Sequence, residues 1–335
     1  MITPTLFAIL PDYVVTPDGM EIDDMGDLIV SCPNYADDDI SGCVIRIDAQ
    51  GRIVKWFDVP RHPETGIARN MGVAFGPDGT LYLCDNQAWS GAPELAFKGR
   101  ILAVRADDMG NFLDEHTVAW DMEHPNGIRI KGDHMYVTQS MMTRVHDPSG
   151  LMVSAVYRFR LDDRDLRVSN TLEDPWIIAT FLTHNPVAQY GADGIVFGPD
   201  GALYVGNFGD GTVYRITFDE AGNVVANEPW ASDPEQLRST DGMIFDGDGN
   251  LYVADFSANA IARITPDGVV TRIAESPDSN GQNGELDQPG EPIIWNGRLV
   301  ATCFDLVTGP DKVDTGHTMP ATMSQLELPE KDGLE

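Results

Sequence analysis

Asp193-Gly-Ile-Val-Phe-Gly-Pro-Asp-Gly-Ala-Leu-Tyr-Val-Gly-Asn207 and Asp241-Gly-Met-Ile-Phe-Asp-Gly-Asp-Gly-Asn-Leu-Tyr-Val-Ala-Asp255 are two copies of one unit. Apolar side chains fall two and four residues after the opening Asp, as at Ile195 and Phe197, which is the period of a strand with alternating faces. Gly-Pro-Asp-Gly or Asp-Gly-Asp-Gly then supplies a tight turn in which glycine takes positive φ. Leu-Tyr-Val begins a second strand. A third is expected at 212–216 or 260–264, and a fourth, after another glycine turn, at 269–273. Four antiparallel strands joined by short turns make one blade of a β-propeller, and recurrence of such a unit marks a repeat architecture.

The template fits four more segments: Asp18-Gly-Met-Glu-Ile-Asp-Asp-Met-Gly-Asp-Leu-Ile-Val30, Met71-Gly-Val-Ala-Phe-Gly-Pro-Asp-Gly-Thr-Leu-Tyr-Leu83, Asn126-Gly-Ile-Arg-Ile-Lys-Gly-Asp-His-Met-Tyr-Val137 and Glu291-Pro-Ile-Ile-Trp-Asn-Gly-Arg-Leu-Val300. The expected fold is all-β: a six-bladed β-propeller of four-stranded antiparallel blades, with residues 1–335 as one domain and blades opening near 18, 71, 126, 193, 241 and 291. The last copy is one strand short after 323–328. The apolar strand at 5–10 is expected to complete it and close the ring, which removes the open edges. A pair of β-sandwiches would leave the regular opening residues unexplained. The insertions at 86–99 in blade two and 141–154 in blade three are long for blade turns, and such loops often cover a site.

Hydrophobic residues make up 42% of the chain, enough for a core. The formal net charge is −31, from 22 basic and 53 acidic residues. Such a surface repels nucleic-acid phosphates and anionic lipid, so neither is an expected partner. No apolar run approaches the roughly 20 residues that span a bilayer. Met1-Ile-Thr-Pro-Thr-Leu-Phe-Ala-Ile-Leu10 has neither the basic start nor the cleavage site of a signal peptide, so a cytoplasmic protein is expected. Cys32, Cys43, Cys84 and Cys303 show no CxxC spacing and are read as buried thiols. A Cys32–Cys303 disulfide is the alternative, since both follow the second strand of neighbouring copies. GxSxG, P-loop and GxGxxG motifs are absent from the strand ends.

Repetition around a ring brings the opening residues Asp18, Met71, Asn126, Asp193, Asp241 and Glu291 to one mouth of the channel. Three Asp and one Asn from blades one, three, four and five form an all-oxygen set. Hard cations such as Ca²⁺ take six to eight oxygens at about 2.3–2.6 Å, water supplying the rest. With no Cys or His at an opening position, zinc and copper are less natural. Asp-Gly and Asn-Gly also begin ordinary turns, the side chain capping backbone N–H groups. Four such residues in six equivalent places weigh against that reading. Glu21 would replace Asp18 if the strand start were shifted, although an offset of three points to the opposite strand face.

The copies resemble those of the SMP-30/gluconolactonase/luciferin-regenerating-enzyme-like family, related to the diisopropylfluorophosphatases and paraoxonases. His124-Pro-Asn-Gly-Ile128 and Thr240-Asp-Gly-Met243 are the closest matches. The resemblance implies a six-bladed propeller with a divalent metal in its channel, hydrolysing lactones, aryl esters or organophosphates. Ligands of that family open blades one, three, four and five, usually as Glu, Asn, Asn and Asp. Carried over, they fall on Asp18, Asn126, Asp193 and Asp241. Asp18 is shorter than the usual Glu by one methylene, roughly 1.5 Å of reach. Asp193 in place of Asn adds a charge that tightens cation binding and lowers the metal's Lewis acidity. Ca²⁺ is the first expectation, with Mg²⁺, Mn²⁺ or Zn²⁺ open. The implied mechanism has the metal polarising a carbonyl, with Asp241 as general base or nucleophile.

Further candidates surround this set. Asp85, Gln139, Asn207 and Asp255 end the second strands, either beside the site or in turn bonding. His124, His184 and His317 are proton-shuttle candidates, or simply hydrogen-bonded residues. Trp89, inside the blade-two insertion, is a candidate substrate wall; Met71 and Glu291 complete the ring. The expected substrate is a small molecule, a sugar or aliphatic lactone before an aryl ester or phosphotriester. The competing readings are a non-catalytic binding propeller with a structural metal, and a metal-free lyase of the strictosidine-synthase type. The sequence leaves the oligomeric state open.

Overall fold

Short glycine turns pair each strand with the next, and the computed structural model, which describes residues 1–328, groups the strands into six small antiparallel sheets. Their first strands are Met20–Ile22, Asn70–Phe75, Pro125–Lys131, Ala192–Phe197, Met243–Phe245 and Pro289–Trp295. Each of these lies beside the first strand of the next sheet, and the last lies beside the first. The chain is therefore a six-bladed β-propeller with the first strands around the channel, and its only helical pieces among the described residues are two 3₁₀ turns, Pro93–Leu95 and Phe256–Ala258. No helix among the described residues is long and apolar enough to cross a membrane.

The N-terminal strand closes the ring. Thr5–Ile9 pairs antiparallel with Thr322–Glu327, so blade six combines both ends of the described chain. Blade two departs from the expected four strands. Its outer strand, Phe112–Met122, gains a parallel partner, Leu166–Arg167, from the long connection inside blade three. An outer strand is an open edge, and Asp165 holds this partner there by accepting from Trp120 Nε1 at 2.9 Å.

Apolar layers fill the spaces between blades. Ile29 and Val44 of blade one meet Leu81, Leu83, Leu102 and Val104 of blade two. Tyr252, Ala254 and Ile261 of blade five meet Leu299, Ala301 and Leu326 of blade six. These are two-sided strands, which is why the second strands read as near-continuous apolar runs. All four cysteines are free and buried. Cys32 faces Cys43 across blade one, and Cys303 Sγ lies 3.3 Å from Ser324 Oγ, so the Cys32–Cys303 bridge is not made.

Candidate active site

A strand irregularity at the start of four blades builds the site. Register skips two residues between Asn70 and Val73, Pro125 and Ile128, Ala192 and Ile195, and Pro289 and Pro292. The first skipped residue is Met71, Asn126 or Asp193 in blades two to four. Asp18 and Asp241 hold the same place, their N–H groups donating to Ser31 O at 2.9 Å and Ala254 O at 3.0 Å. In blade six the place belongs to Gly290, which corrects the assignment of Glu291 as an opening residue. In the sequence, Pro292 falls where the other copies have the glycine that follows the opening residue. The pairing with Ala301 instead sets Pro292 at the apolar position one step later, and Glu291 stands where the other blades have glycine.

Hydrogen bonds between neighbouring blades lock the opening residues in place. Thr138 Oγ1 donates to Asp193 O at 2.7 Å, Thr302 Oγ1 to Asp18 O at 2.8 Å, and Gly242 N to Gly290 O at 2.9 Å. The approach is close enough to require glycine: a Cβ on Gly127 would sit 2.5 Å from Asp193 O, and one on Gly194 2.0 Å from Asp241 O. With the carbonyls directed at neighbours, the side chains of Asp18, Met71, Asn126, Asp193 and Asp241 converge on one cavity of about 420 Å³. Gly290 contributes none, and Asp18 Oδ1 lies 3.1 Å from where its Cβ would be.

Crowded acids dominate the floor. Burial, then repulsion from Glu291, pushes Asp18 up to about 7. Asp193 is held well above the carboxylate range by burial, then by Asp18 and Glu291. Asp241 is raised by burial, Asp193, Asp18 and Glu291, against one favourable bond from Gly242 N to its Oδ1 at 2.9 Å. No basic side chain among the described residues forms an ion pair with these three. Three carboxylates and an amide oxygen, desolvated and without a protein cation, are the donor set of a hard divalent ion.

Beneath the floor, Arg129 of blade three reaches Glu291 of blade six at 2.5 Å, an ion pair spanning opposite blades. Glu21 is near enough to act electrostatically on both partners, and it does not line the cavity. Asp18, not Glu21, is at the floor of the cavity.

Aromatic rings wall the cavity. Trp89 stacks on Tyr35 at 4.5 Å and meets Phe304 at 5.2 Å. The series continues through Phe256 at 5.7 Å, Phe208 at 5.7 Å and Tyr190 at 6.0 Å. Phe208, Phe256 and Phe304 were missed in the sequence, although each directly follows the second strand of its blade, after Asn207, Asp255 and Cys303. Residues 307–312 of blade six form the rim. The blade-three insertion contributes nothing to this wall; its Met142 is buried in the apolar layer.

The remaining candidates lie elsewhere. His124 is buried, its Nδ1 accepting from Asn86 Nδ2 at 3.0 Å; burial lowers it to about 4, against a hydrogen bond to the Ala88 backbone. It anchors the blade-two loop. His184 is an exposed partner of Asp210 at 3.0 Å, and His317 Nδ1 bonds Asp305 O at 2.6 Å; neither lines the cavity. Asn207 bonds Thr183 and Leu182. Asp255 accepts from Arg238 N, Ser239 N and Arg272, and Asp85 from Arg69 N and Arg100. Gln139 Oε1 accepts from Glu123 N at 2.9 Å. Asp85, Gln139 and Asp255 thus fix the backbone just before an opening residue and do not touch the cavity.

A family model described as the SMP-30/Gluconolactonase/LRE-like region matches residues 67–282. No curated protein sequence matches the chain. Among solved structures, a luciferin-regenerating enzyme superposes with a TM-score of 0.63 at 14% identity, covering 96% of this chain and 94% of its own. A gluconolactonase from Xanthomonas campestris gives 0.59 at 17%, covering 97% and 95%. A calcium-binding protein, regucalcin, from Agrobacterium tumefaciens gives 0.61 at 13%, covering 97% and 93%. At these identities the likeness to the solved structures is one of fold.

Proposed function

Because the chain belongs to the SMP-30/gluconolactonase/LRE-like family, we propose that it is a hydrolase that opens a small lactone, or a related ester, at the channel mouth. The observation that carries this reading is the convergence of Asp18, Asn126, Asp193 and Asp241 on the floor of one aromatic-walled cavity. These four residues would hold a divalent cation, calcium first. When bound, the cation supplies Lewis-acid polarisation of the carbonyl oxygen.

The chain's own residues do the rest. Asp241 has one oxygen occupied by Gly242 N, which leaves the other to take a proton. It takes that proton from the water that adds to the lactone carbonyl carbon. The ring C–O bond then breaks, and the proton passes to the departing oxygen. Trp89, Phe208, Phe256 and Phe304 cover the apolar face of the substrate and exclude bulk water. A cavity of about 420 Å³ suits a sugar or small aliphatic lactone.

The experiment is chelation followed by a lactone panel with a pH-indicator readout. Exhaustive EDTA treatment should abolish turnover, and Ca²⁺ should restore it. Asp241→Asn should lower kcat by about 10²–10⁴, the usual contribution of a general base, with the circular dichroism spectrum unchanged. Full activity after chelation would remove the metal from the reading. Turnover of aryl esters or phosphotriesters alone would replace the lactone.

A further inference from the structure

Blade six carries a second group of acids, outside the floor of the cavity. Asp287 lies just before the strand Pro289–Trp295, Asp305 just after Arg298–Cys303, and Asp314 in the connection to Thr322–Glu327. One carboxylate oxygen from each lies within 4.8 Å of those offered by the other two. The residues are 1%, 6% and 2% exposed.

Buried carboxylates ordinarily carry hydrogen-bond partners. Asp305 and Asp314 each use one oxygen on the surrounding loop. Thr318 N and Oγ1 donate to Asp305 Oδ2 at 2.7 and 2.9 Å, and Gly316 N donates to Asp314 Oδ1 at 3.1 Å. Asp305 Oδ1, Asp314 Oδ2 and both oxygens of Asp287 have no partner. No Lys or Arg among the described residues pairs with the group. His317 Nδ1, 3.6 Å from Asp305 Oδ2, is already bonded to Asp305 O. Burial and then mutual repulsion push Asp287 up to about 8, with Asp278 and Glu285 adding to the negative field.

We propose that Asp287, Asp305 and Asp314 form a second divalent-cation site, of the calcium class, that fastens the blade-six loop over the channel mouth. Four unpartnered carboxylate oxygens from three segments are the beginning of a six-to-eight-oxygen shell, completed by water. The group contains neither thiolate nor imidazole, which disfavours zinc. The loop that starts at Asp305 supplies Val307 and Lys312 to the rim. Gln288, next to Asp287, grips the same loop: its Oε1 accepts from Leu306 N and Val307 N, both at 2.8 Å. Free calcium would thereby set the shape of the substrate wall. The inference is independent of whether the channel floor binds a metal.

The test is calcium stoichiometry by titration calorimetry on chelator-stripped protein. An Asp287→Asn/Asp314→Asn variant should bind one ion fewer than the wild type. An Asp193→Asn/Asp241→Asn variant, altered at the channel floor, should keep the ion lost there. If the floor takes no metal, the wild type binds one ion and the blade-six variant none, which still supports the second site. Unchanged stoichiometry in the blade-six variant overturns it. Hydrogen exchange provides a check that needs no change to blade six. In the Asp193→Asn/Asp241→Asn chain, calcium at about ten times its dissociation constant should slow opening of 304–321 roughly tenfold. No calcium response in that segment overturns the proposal as well.

Discussion

A single methyl group would test how tightly the opening residues are interlocked. A Cβ on Gly194 would fall 2.0 Å from the carbonyl oxygen of Asp241, a backbone atom with no rotamer to give way. Gly194→Ala is expected to cost about 1–3 kcal/mol by overpacking and to displace Asp241. Urea unfolding measures the first effect and kcat the second; a wild-type midpoint would show that the ring yields freely. At this scale the sequence was legible where chemistry repeats. Asp18, Asn126, Asp193 and Asp241 were readable because each precedes a glycine at the same point of the unit. Glu291 was misplaced by one because Pro292 imitates that pattern without the glycine's role. Asp287, Asp305 and Asp314 belong to no repeat, so only the folded chain brings them together.

Among the strands, Thr5–Ile9 has the most to lose. It shields the edge of Thr322–Glu327, and Phe7 sets its ring against Trp295 at 5.7 Å. Deleting residues 1–9 is expected to cost roughly 2–4 kcal/mol, the worth of one or two large apolar side chains returned to water. The bare edge should also promote self-association. A lowered urea midpoint together with a concentration-dependent sedimentation profile would confirm this. An unshifted midpoint would mean that blade six closes without that strand. The closing strand was legible because an apolar segment and a blade short of one strand call for each other. The pairing of Leu166–Arg167 with blade two was not, because a two-residue parallel contact leaves no periodicity to read.

For the whole molecule, electrostatic self-repulsion is the term to vary. With 53 acidic against 22 basic residues, the folded chain gathers like charge that the unfolded chain spreads out. In the presence of a chelator, raising potassium chloride from about 10 to 200 mM shortens the screening length from roughly 30 to 7 Å and should raise Tm by several degrees. A flat profile in differential scanning calorimetry would show that the repulsion is already relieved within the fold. The propeller itself was legible because each blade restates the same unit. The aromatic wall was not, because its rings come from different blades and meet only when the circle closes. The Arg129–Glu291 pair has a consequence of its own. It lies across the axis like a crossbar between opposite blades and narrows the way from one side of the disc to the other. If the proposed hydrolysis holds, a molecule that enters at the mouth would be expected to leave by the same doorway, and a slow product would hold the next one outside.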